Sequence, residues 1–196
     1  MKRGFDIVLV ALSSPLWIPL AFFVFLVSLA FQGRPVFFLQ ERAGKGGRPF
    51  VLFKFRTMRT GAGTDAERLT RFGRFLRASS LDEIPELVNV LRGEMSLVGP
   101  RPLPVRYLPR YTPTQARRHE VLPGLTGWAQ VHGRNALDWE TKFRYDVEYV
   151  EKRSLPLDLK ILLMTAWQVA FPRHISHEGE ATMGEFFGII SENEVR

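Results

Sequence analysis

The chain has 196 residues, no cysteine, and 27 Lys and Arg against 20 Asp and Glu, which gives a formal net charge of +7. The lack of cysteine excludes disulfides, thiol catalysis and cysteine-ligated zinc. The four histidines show no metal-ligand spacing, so the sequence does not indicate a histidine metal site.

An apolar segment opens the chain, with no charged residue from Ile7 to Phe31. A straight helix of that length reaches about 37 Å, enough for a hydrocarbon core of about 30 Å. No clear small-residue cleavage site precedes Gln32, so we expect the segment to be retained. Basic residues flank it, among them Lys2 before it and Arg34 after it. The positive-inside rule places both ends on the cytoplasmic side.

The middle of this segment contains Ser13, Ser14 and Pro15. Proline removes a helical hydrogen bond and a serine hydroxyl can bond to the freed backbone, so the helix can turn back here. We predict a re-entrant, monotopic membrane segment over residues 1–33 and a cytoplasmic domain over residues 34–196, which is long enough for a hydrophobic core. A single kinked anchor helix is the alternative.

Two strands are predicted next, from Pro35 to Gln40 and from Pro49 to Met58, joined by the glycine-rich turn Gly44 to Gly47. Period-2 alternation places Lys54 and Arg56 on one face of the second strand. The functional interpretation of that face is a phosphate clamp with two cations. The alternative is an ordinary solvated strand face opposite a buried aromatic one.

Positive charge is concentrated next to the apolar segment, since residues 32–80 contain 11 Lys and Arg but only three acidic residues. Such a field suits anionic lipid headgroups and polyanionic substrates. The pattern from Asp65 to Arg77 predicts a basic amphipathic helix that lies on a membrane or packs as a surface helix. No RNA-binding signature or DNA-reading motif accompanies the charge, so we expect no nucleic-acid partner.

Residues 79–102, SSLDEIPELVNVLRGEMSLVGPRP, are the most informative stretch. They place adjacent Asp82 and Glu83 at a predicted helix start, ahead of a Gly-Pro-Arg-Pro turn. Neighbouring carboxylates near phosphate-binding cations indicate metal-assisted phosphoryl chemistry. The alternative is a capping box formed by Ser80 and Glu83, with Asp82 complementing the helix dipole. The residues predicted to face inward on this helix are Ile84, Leu87, Val88 and Leu91.

The remaining elements are two helices and several loops. Asp138 to Arg153 is predicted as a helix capped by Asp138, and Leu157 to Phe171 as a core or interfacial helix. Pro123 to Gly127 and Gly133 to Asn135 are loop signals, and Arg134 is a candidate phosphate or sugar contact. The residues from Pro172 onward receive no function.

These motifs together resemble the small monotopic phosphoglycosyl transferases of the bacterial sugar transferase family. The matching pieces are the Ser-Pro break near the N-terminus, KFRTM at Lys54 to Met58, SLDE at Ser80 to Glu83, LVGPRP at Leu97 to Pro102, and PGLTGWAQVHGRN at Pro123 to Asn135. The resemblance covers nearly the whole chain, and five pieces in the family's order are highly specific.

The resemblance implies that a sugar 1-phosphate is moved from a UDP-sugar to a polyprenol phosphate such as undecaprenyl phosphate, with release of UMP, through a covalent aspartyl intermediate. It makes Asp82 the nucleophile and Glu83 its partner, with Mg²⁺ held by both. It implies substrate binding by Lys54, Arg56, Arg77, Arg101 and Arg134. It also assigns the membrane break to Ser14 and Pro15.

The implied fold is α+β: a re-entrant membrane hairpin, a small antiparallel β-hairpin, and a mainly helical cytoplasmic catalytic domain with interfacial helices. We therefore expect a monotopic protein on the cytoplasmic face of the bacterial inner membrane, in contact with lipid and with downstream glycosyltransferases. The chain ends soon after the core, as in the minimal members, and its loop from Arg59 to Asp65 is shorter than in many members.

The GRNALDWETKF stretch and the later HEGEATMGEFFG stretch, His177 to Gly188, resemble members that use UDP-N,N′-diacetylbacillosamine, so we expect an N-acetylated amino sugar. Two other functions stay open. A membrane-bound nucleotide-sugar hydrolase would give the same phosphoryl intermediate to water. A non-enzymatic, membrane-tethered basic adaptor would need the acidic pair only as a helix cap.

Overall fold

The computed structural model describes residues 2–133, 136–171 and 184–188, which form helices around two small sheets. The helices are α1 (Lys2–Leu12), α2 (Ser14–Gln32), α3 (Asp65–Arg68), α4 (Arg71–Ala78), α5 (Glu86–Arg92), α6 (Pro113–Ala116), α7 (Trp128–Val131), α8 (Trp139–Lys152) and α9 (Leu155–Ala170). The strands are β1 (Phe37–Ala43), β2 (Pro49–Phe55), β3 (Ser96–Val98) and β4 (Gly124–Thr126). This mixed architecture with an antiparallel hairpin confirms the predicted fold class in its coarse form.

The N-terminal segment consists of two helices that meet at Ser13, one residue before the predicted break at Ser14 and Pro15. Pro15 lies in the first turn of α2, where its missing N–H costs least. The Ser13 hydroxyl donates to the Leu9 carbonyl at 2.7 Å. As expected, a serine hydroxyl therefore bonds to backbone at the interruption.

Helix α1 packs on the rest of the protein, whereas α2 is largely exposed. Val10 is buried in the main hydrophobic core, and Asp6 accepts a hydrogen bond from the Ser96 hydroxyl at 2.8 Å. Among the described helices, α2 alone is long and apolar enough to cross a membrane, judged by length and composition. Its far end contacts the domain as well, since the Gln32 amide donates to the Arg56 carbonyl at 2.8 Å.

The predicted β-hairpin is confirmed. Strands β1 and β2 pair antiparallel with Phe37 opposite Phe55 and Ala43 opposite Pro49, and a 3₁₀ turn over Lys45–Gly47 joins them. Leu52 and Phe55 point into buried clusters, while Phe38 and Leu39 on β1 are exposed.

A second sheet was not predicted from the sequence. Strands β3 and β4 pair in parallel, Ser96 beside Gly124 and Val98 beside Thr126. Next to them, a side chain at Gly127 would bring its Cβ within 2.1 Å of the Gly99 carbonyl oxygen. This tight packing fixes the Gly-Pro-Arg-Pro turn that follows β3 against the Pro-Gly-Leu-Thr-Gly loop.

The predicted single helix over residues 65–77 is wrong, because the chain breaks it into α3 and α4. Thr70 is the N-cap of α4, and its hydroxyl accepts a hydrogen bond from the Gly73 N–H at 2.8 Å. Close packing explains the break, since a Cβ on Gly73 would lie 1.8 Å from the Thr57 carbonyl oxygen. The β2 end and α4 are therefore in backbone contact.

Helix α5 follows its predicted inward face only in part, since Ile84 and Leu87 pack against the buried clusters. Its buried residues are Glu86, Asn89 and Val90, whereas Leu91 is exposed. The Asn89 side chain donates to the Val51 carbonyl at 2.7 Å and accepts from a β2 N–H, so it bonds to the edge of the hairpin. Polar contacts with β2 therefore decide the orientation of this helix.

The last two helices match their predictions. Asp138 caps α8 by accepting from the Thr141 N–H at 2.7 Å. Helix α9 buries Ile161 but exposes Leu163 and Trp167, so it combines core packing with an exposed apolar face. The tail, to which the sequence assigned no function, places Phe186 in a buried cluster of Leu103, Tyr107 and Phe143.

Candidate active site

A cavity of about 1700 Å³ extends from the apolar helix α2 to the acidic pair. At one end its wall includes Trp17 and Leu20 of α2, together with the exposed face of β1. At the other end its wall is charged. The charged residues that matter for the argument are Lys54, Arg77, Asp82, Glu83, Arg101 and Lys142. One cavity therefore joins an apolar surface to a set of charged side chains.

The acidic pair lies in a 3₁₀ turn, Leu81–Glu83, ahead of α5. Ser80, just before this turn, has φ +57° and ψ +17° and makes no side-chain cap hydrogen bond, so the capping-box alternative is wrong. A left-handed serine is costly and is found where other contacts hold the backbone, commonly at functional sites. The local structure thus presents Asp82 to the cavity wall instead of using it as a cap.

Ion pairs surround Asp82 without including it. Lys54 Nζ lies 2.8 Å from Glu83 Oε1 and 2.9 Å from Glu86 Oε1. Arg101 Nη2 lies 2.6 Å from the same Glu83 oxygen. Asp82 is only 7% exposed. Nevertheless, its carboxylate makes no hydrogen bond or ion pair with any of the described residues. Within the described part of the chain, Asp82 is a buried carboxylate with no cation in direct contact.

The carboxylates of this cluster have different pKa shifts. Burial and the neighbouring Glu83 raise the pKa of Asp82 to about 6. Burial would also raise the pKa of Glu83, but Arg101 and Lys54 together hold it well below its ordinary value. At neutral pH both residues of the pair are mainly ionised, and Asp82 is the more basic.

The turn that carries Arg101 is held from behind by a buried ion pair. Arg118 Nη2 donates to the Arg101 carbonyl at 2.7 Å and to Asp146 Oδ2 at 2.7 Å. Both Arg118 and Asp146 are almost fully buried. Paired with a carboxylate and bonded to the backbone, a guanidinium of this kind fixes the path of the turn. Arg101 is therefore presented to Glu83 from a rigid support.

The other cations predicted to bind substrate occupy different surroundings. Arg77 lines the cavity, and its Nε donates to the Thr57 hydroxyl at 3.1 Å. Arg56 also lines the cavity, but its guanidinium donates to the carbonyls of Gln32 and Gly33, where α2 ends. Arg134 lies outside the described residues. The structure thus brings Lys54, Arg77 and Arg101 to the acidic pair and uses Arg56 to hold α2.

Sequence reasoning missed two charged residues of this site. Glu86 is 2% exposed, and burial raises its pKa to about 7. Lys142 of α8 lines the cavity, and burial together with Arg101 lowers its pKa to about 8. The acidic Glu86 directly after Pro85 was a visible signal in the sequence. Lys142 had none, because only the fold brings α8 to the cavity.

The carboxylates at this site are the candidate ligands for Mg²⁺. The described residues contain no group of three His, Cys, Asp or Glu side chains placed to hold a metal ion. Mg²⁺ commonly binds through one or two carboxylates with water and substrate phosphates completing its shell. Asp82 fits that requirement as a single oxygen ligand, whereas Glu83 is already occupied by two cations.

The family model of the bacterial sugar transferases matches residues 1–172, which includes every element described here except the segment 184–188. This chain belongs to the bacterial sugar transferase family. The transferase motifs identified in the sequence, among them the acidic pair and the Gly-Pro-Arg-Pro turn, meet at the cavity.

Curated relatives of this bacterial sugar transferase include the "Uncharacterized sugar transferase EpsL" of Bacillus subtilis (strain 168), 54% identical over 80% of this chain and 80% of that protein. The "UDP-glucose:undecaprenyl-phosphate glucose-1-phosphate transferase" of Xanthomonas campestris pv. campestris is 45% identical over 69% of this chain and 31% of its own length. An Aeromonas hydrophila protein, "UDP-N-acetylgalactosamine-undecaprenyl-phosphate N-acetylgalactosaminephosphotransferase", is 41% identical over 84% of this chain and 42% of its own length. The chain therefore spans less than half of the latter two.

Proposed function

We propose that this protein transfers a sugar 1-phosphate from a UDP-sugar to undecaprenyl phosphate, releases UMP, and so initiates the assembly of a lipid-linked glycan. The observation that carries the proposal is the Asp82 carboxylate, which is buried on the cavity wall and unpaired among the described residues while cations are fixed beside it. Two relatives are named as undecaprenyl-phosphate transferases, which supports transfer of a sugar phosphate as the reaction class.

In the first step, an Asp82 oxygen attacks the phosphorus atom that carries the sugar. A bond forms between that oxygen and phosphorus, the bond from phosphorus to the bridging oxygen breaks, and UMP leaves with the bonding electrons. Asp82 is suited to this step because it is mainly ionised at neutral pH yet more basic than Glu83. Arg101 and Lys54 are placed to bind the phosphate oxygens.

In the second step, a phosphate oxygen of undecaprenyl phosphate attacks the same phosphorus, and the bond to Asp82 breaks. The product is an undecaprenyl diphosphate sugar, and the free carboxylate is regenerated. The apolar end of the cavity at Trp17 and Leu20 supports entry of a lipid-borne phosphate from the side of α2. A nucleotide-sugar hydrolase would have no need for that apolar wall, which favours transfer over hydrolysis.

Mg²⁺ belongs to this proposal, with Asp82 as the protein ligand that the geometry favours and Glu83 as its neighbour. When bound together with the diphosphate, the ion would neutralise charge on the phosphate oxygens. Lys54, Arg77 and Arg101 supply positive charge to the same region from the chain itself.

The proposed topology is a re-entrant membrane segment, with the catalytic domain on the cytoplasmic face of the inner membrane. Lys2, before the apolar segment, forms an ion pair with Asp158 at 2.5 Å. Gln32, at the far end of α2, bonds to Arg56 of the same domain. Contacts of both ends with one domain support a segment that enters and leaves the membrane on the same side. Each exposed end can carry a single cysteine, as Gly4→Cys or Arg34→Cys, in this cysteine-free chain.

Side-specific labelling of those cysteines in inverted and right-side-out vesicles tests the topology. The re-entrant arrangement predicts that both cysteines react from the cytoplasmic side only. Reaction of the two cysteines from opposite sides would contradict it and would identify a spanning anchor.

The activity is tested by measuring UMP release from a panel of UDP-sugars in the presence of undecaprenyl phosphate. The panel contains UDP-N,N′-diacetylbacillosamine, UDP-N-acetylgalactosamine, UDP-N-acetylglucosamine, UDP-glucose and UDP-galactose. We expect turnover to be fastest with an N-acetylated amino sugar and the product to be lipid-linked. UMP release without lipid-linked product would indicate the hydrolase, and no UMP from any sugar would indicate the adaptor.

A further inference from the structure

Glu86 is a buried carboxylate that the proposed reaction does not use. It is the first residue of α5 and is 2% exposed. Its Oε1 forms an ion pair with Lys54 Nζ at 2.9 Å. Burying a carboxylate costs stability unless its charge is paired, and the partner that Glu86 has is Lys54.

Lys54 is the charged group that Glu86 acts on. The Lys54 ammonium lies between two glutamates, 2.8 Å from Glu83 and 2.9 Å from Glu86. Asp82 lines the same cavity as Lys54, and the positive charge of Lys54 opposes the rise in the pKa of Asp82. Among the described residues, the ion pairs of Lys54 are those with Glu83 and Glu86, not with Asp82. The position of one flexible lysine is therefore set by competition among three carboxylates.

We propose that Glu86 is a positioning residue which, together with Glu83, holds the Lys54 ammonium away from Asp82 and so leaves the nucleophilic carboxylate unpaired. This inference rests on the proposed function, because it assigns a role in the formation of the covalent intermediate. Without the negative charge on Glu86, Lys54 is bound from one side only and is free to pair with Asp82.

An ion pair between Lys54 and Asp82 would slow attack in two ways. It would place an ammonium on the oxygen that must approach phosphorus, and it would lower the basicity of the carboxylate. It would also remove Lys54 from the phosphate that it is placed to bind. Among the described residues, Glu83, Arg101 and Arg42 also act on Glu86, and Arg101 is already held by Glu83. Lys54 is therefore the cation that a change at Glu86 redirects.

The test is a rapid-quench measurement of the first UMP burst by the full-length protein in nanodiscs, without undecaprenyl phosphate. The donor is the panel sugar that the wild-type protein turns over fastest. We expect Glu86→Gln to lower the burst rate constant at least tenfold, with KM for the donor changed less than about twofold and Tm not lowered. Glu86→Asp, which keeps the charge, should recover part of the lost rate.

A double-mutant cycle identifies Lys54 as the group through which Glu86 acts. Removing Lys54 as Lys54→Gln should cost several-fold less in the Glu86→Gln background than in the wild-type protein, because the misplaced ammonium is then absent. Glu94→Gln is the matched control. Glu94 bonds to Asn89 of the same helix at 2.7 Å and does not line the cavity, so its variant should keep the wild-type burst.

Three outcomes would overturn the inference. The first is a wild-type burst rate in Glu86→Gln. The second is a lowered Tm in both Glu86 variants with burst rates that follow the folded fraction, since that result indicates a structural role. The third is additive effects of the Lys54 and Glu86 substitutions. If the wild-type protein gives no burst with any panel sugar, the proposed function fails first and the inference fails with it.

Discussion

Replacing Arg101 by lysine keeps the positive charge at the Gly-Pro-Arg-Pro turn but removes the planar fork of donors. The Arg101 guanidinium lies 2.6 Å from Glu83, and a charge-assisted hydrogen bond of this kind contributes about 1.5–3 kcal/mol. The Arg101 side chain is 43% exposed, so solvent screening reduces the expected loss to about 1–2 kcal/mol. If that bond orients the cation toward a substrate phosphate, kcat/KM should fall about 5- to 30-fold.

The assay compares kcat/KM for the UDP-sugar with Tm in the same preparation of Arg101→Lys. A matched control exists at Arg117, which lies 2.6 Å from Glu151, is 41% exposed and does not line the cavity. Arg117→Lys makes the same chemical change at the same distance and exposure. It should therefore leave kcat/KM at the wild-type value.

Two results would refute this reasoning. Wild-type kcat/KM in Arg101→Lys would show that charge alone suffices and that the planar fork of donors has no role. A lowered Tm with unchanged kcat would show that Arg101 acts in the fold through Glu83, not in the reaction.

Three further predictions concern pH and packing. The rate of UMP release should fall as pH drops below about 7, because Glu86 (pKa about 7) and then Asp82 (pKa about 6) become protonated. A profile that stays flat down to pH 5 would argue against Asp82 as nucleophile. Because the folded protein raises the pKa of Asp82, the protonated carboxyl group stabilises the fold fully below the ordinary pKa of 3.8, and this stabilisation is lost as pH rises through about 6. Thermal unfolding should therefore find Asp82→Asn more stable than the wild type at pH 7 but not at pH 3.5. Gly73→Ala should lower the free energy of unfolding by about 1–3 kcal/mol, since its Cβ would lie 1.8 Å from the Thr57 carbonyl oxygen. Gly4→Ala, whose Cβ would lie in open space, should keep or raise Tm. Equal Tm values for the two variants would contradict the packing of α4 on β2.

Local signals in the sequence were sufficient for the hairpin and for α8. Alternating apolar residues with a glycine-rich turn specify β1 and β2, and the Asp138 cap with a 3.6-residue stripe specifies α8. The interruption near Pro15 was also visible, because proline chemistry is local. These features form wherever the segment is placed, so they require no knowledge of the rest of the fold.

The errors occurred where distant residues decide the structure. The capping-box alternative for SSLDE fails because Lys54 from β2 and Arg101 from the turn hold Glu83, and Ser80 adopts a left-handed conformation. Helix α5 turns Asn89 inward because the hairpin edge offers hydrogen-bond partners. The short parallel pair β3 and β4 joins segments about 28 residues apart and has no periodic pattern for a sequence analysis to detect.

The same distinction applies to the candidate site. Asp82, Glu83 and Arg101 lie in one stretch of sequence whose motif indicates phosphoryl chemistry, and the structure places them on one cavity wall. The absence of an ion pair on Asp82, by contrast, depends on how Lys54 is divided between Glu83 and Glu86. That division arises from the packing of β2 against α5 and is not encoded by any local pattern.

The most direct test of the account is peptide mass mapping after the wild-type protein is incubated with its UDP-sugar and without undecaprenyl phosphate. We predict a mass increase of one sugar 1-phosphate on the peptide that contains Asp82, its disappearance when undecaprenyl phosphate is added, and its absence from Asp82→Asn, which keeps the size of the side chain. UMP release without this adduct, an adduct on a different residue, or full turnover by a folded Asp82→Asn protein would contradict covalent catalysis by Asp82.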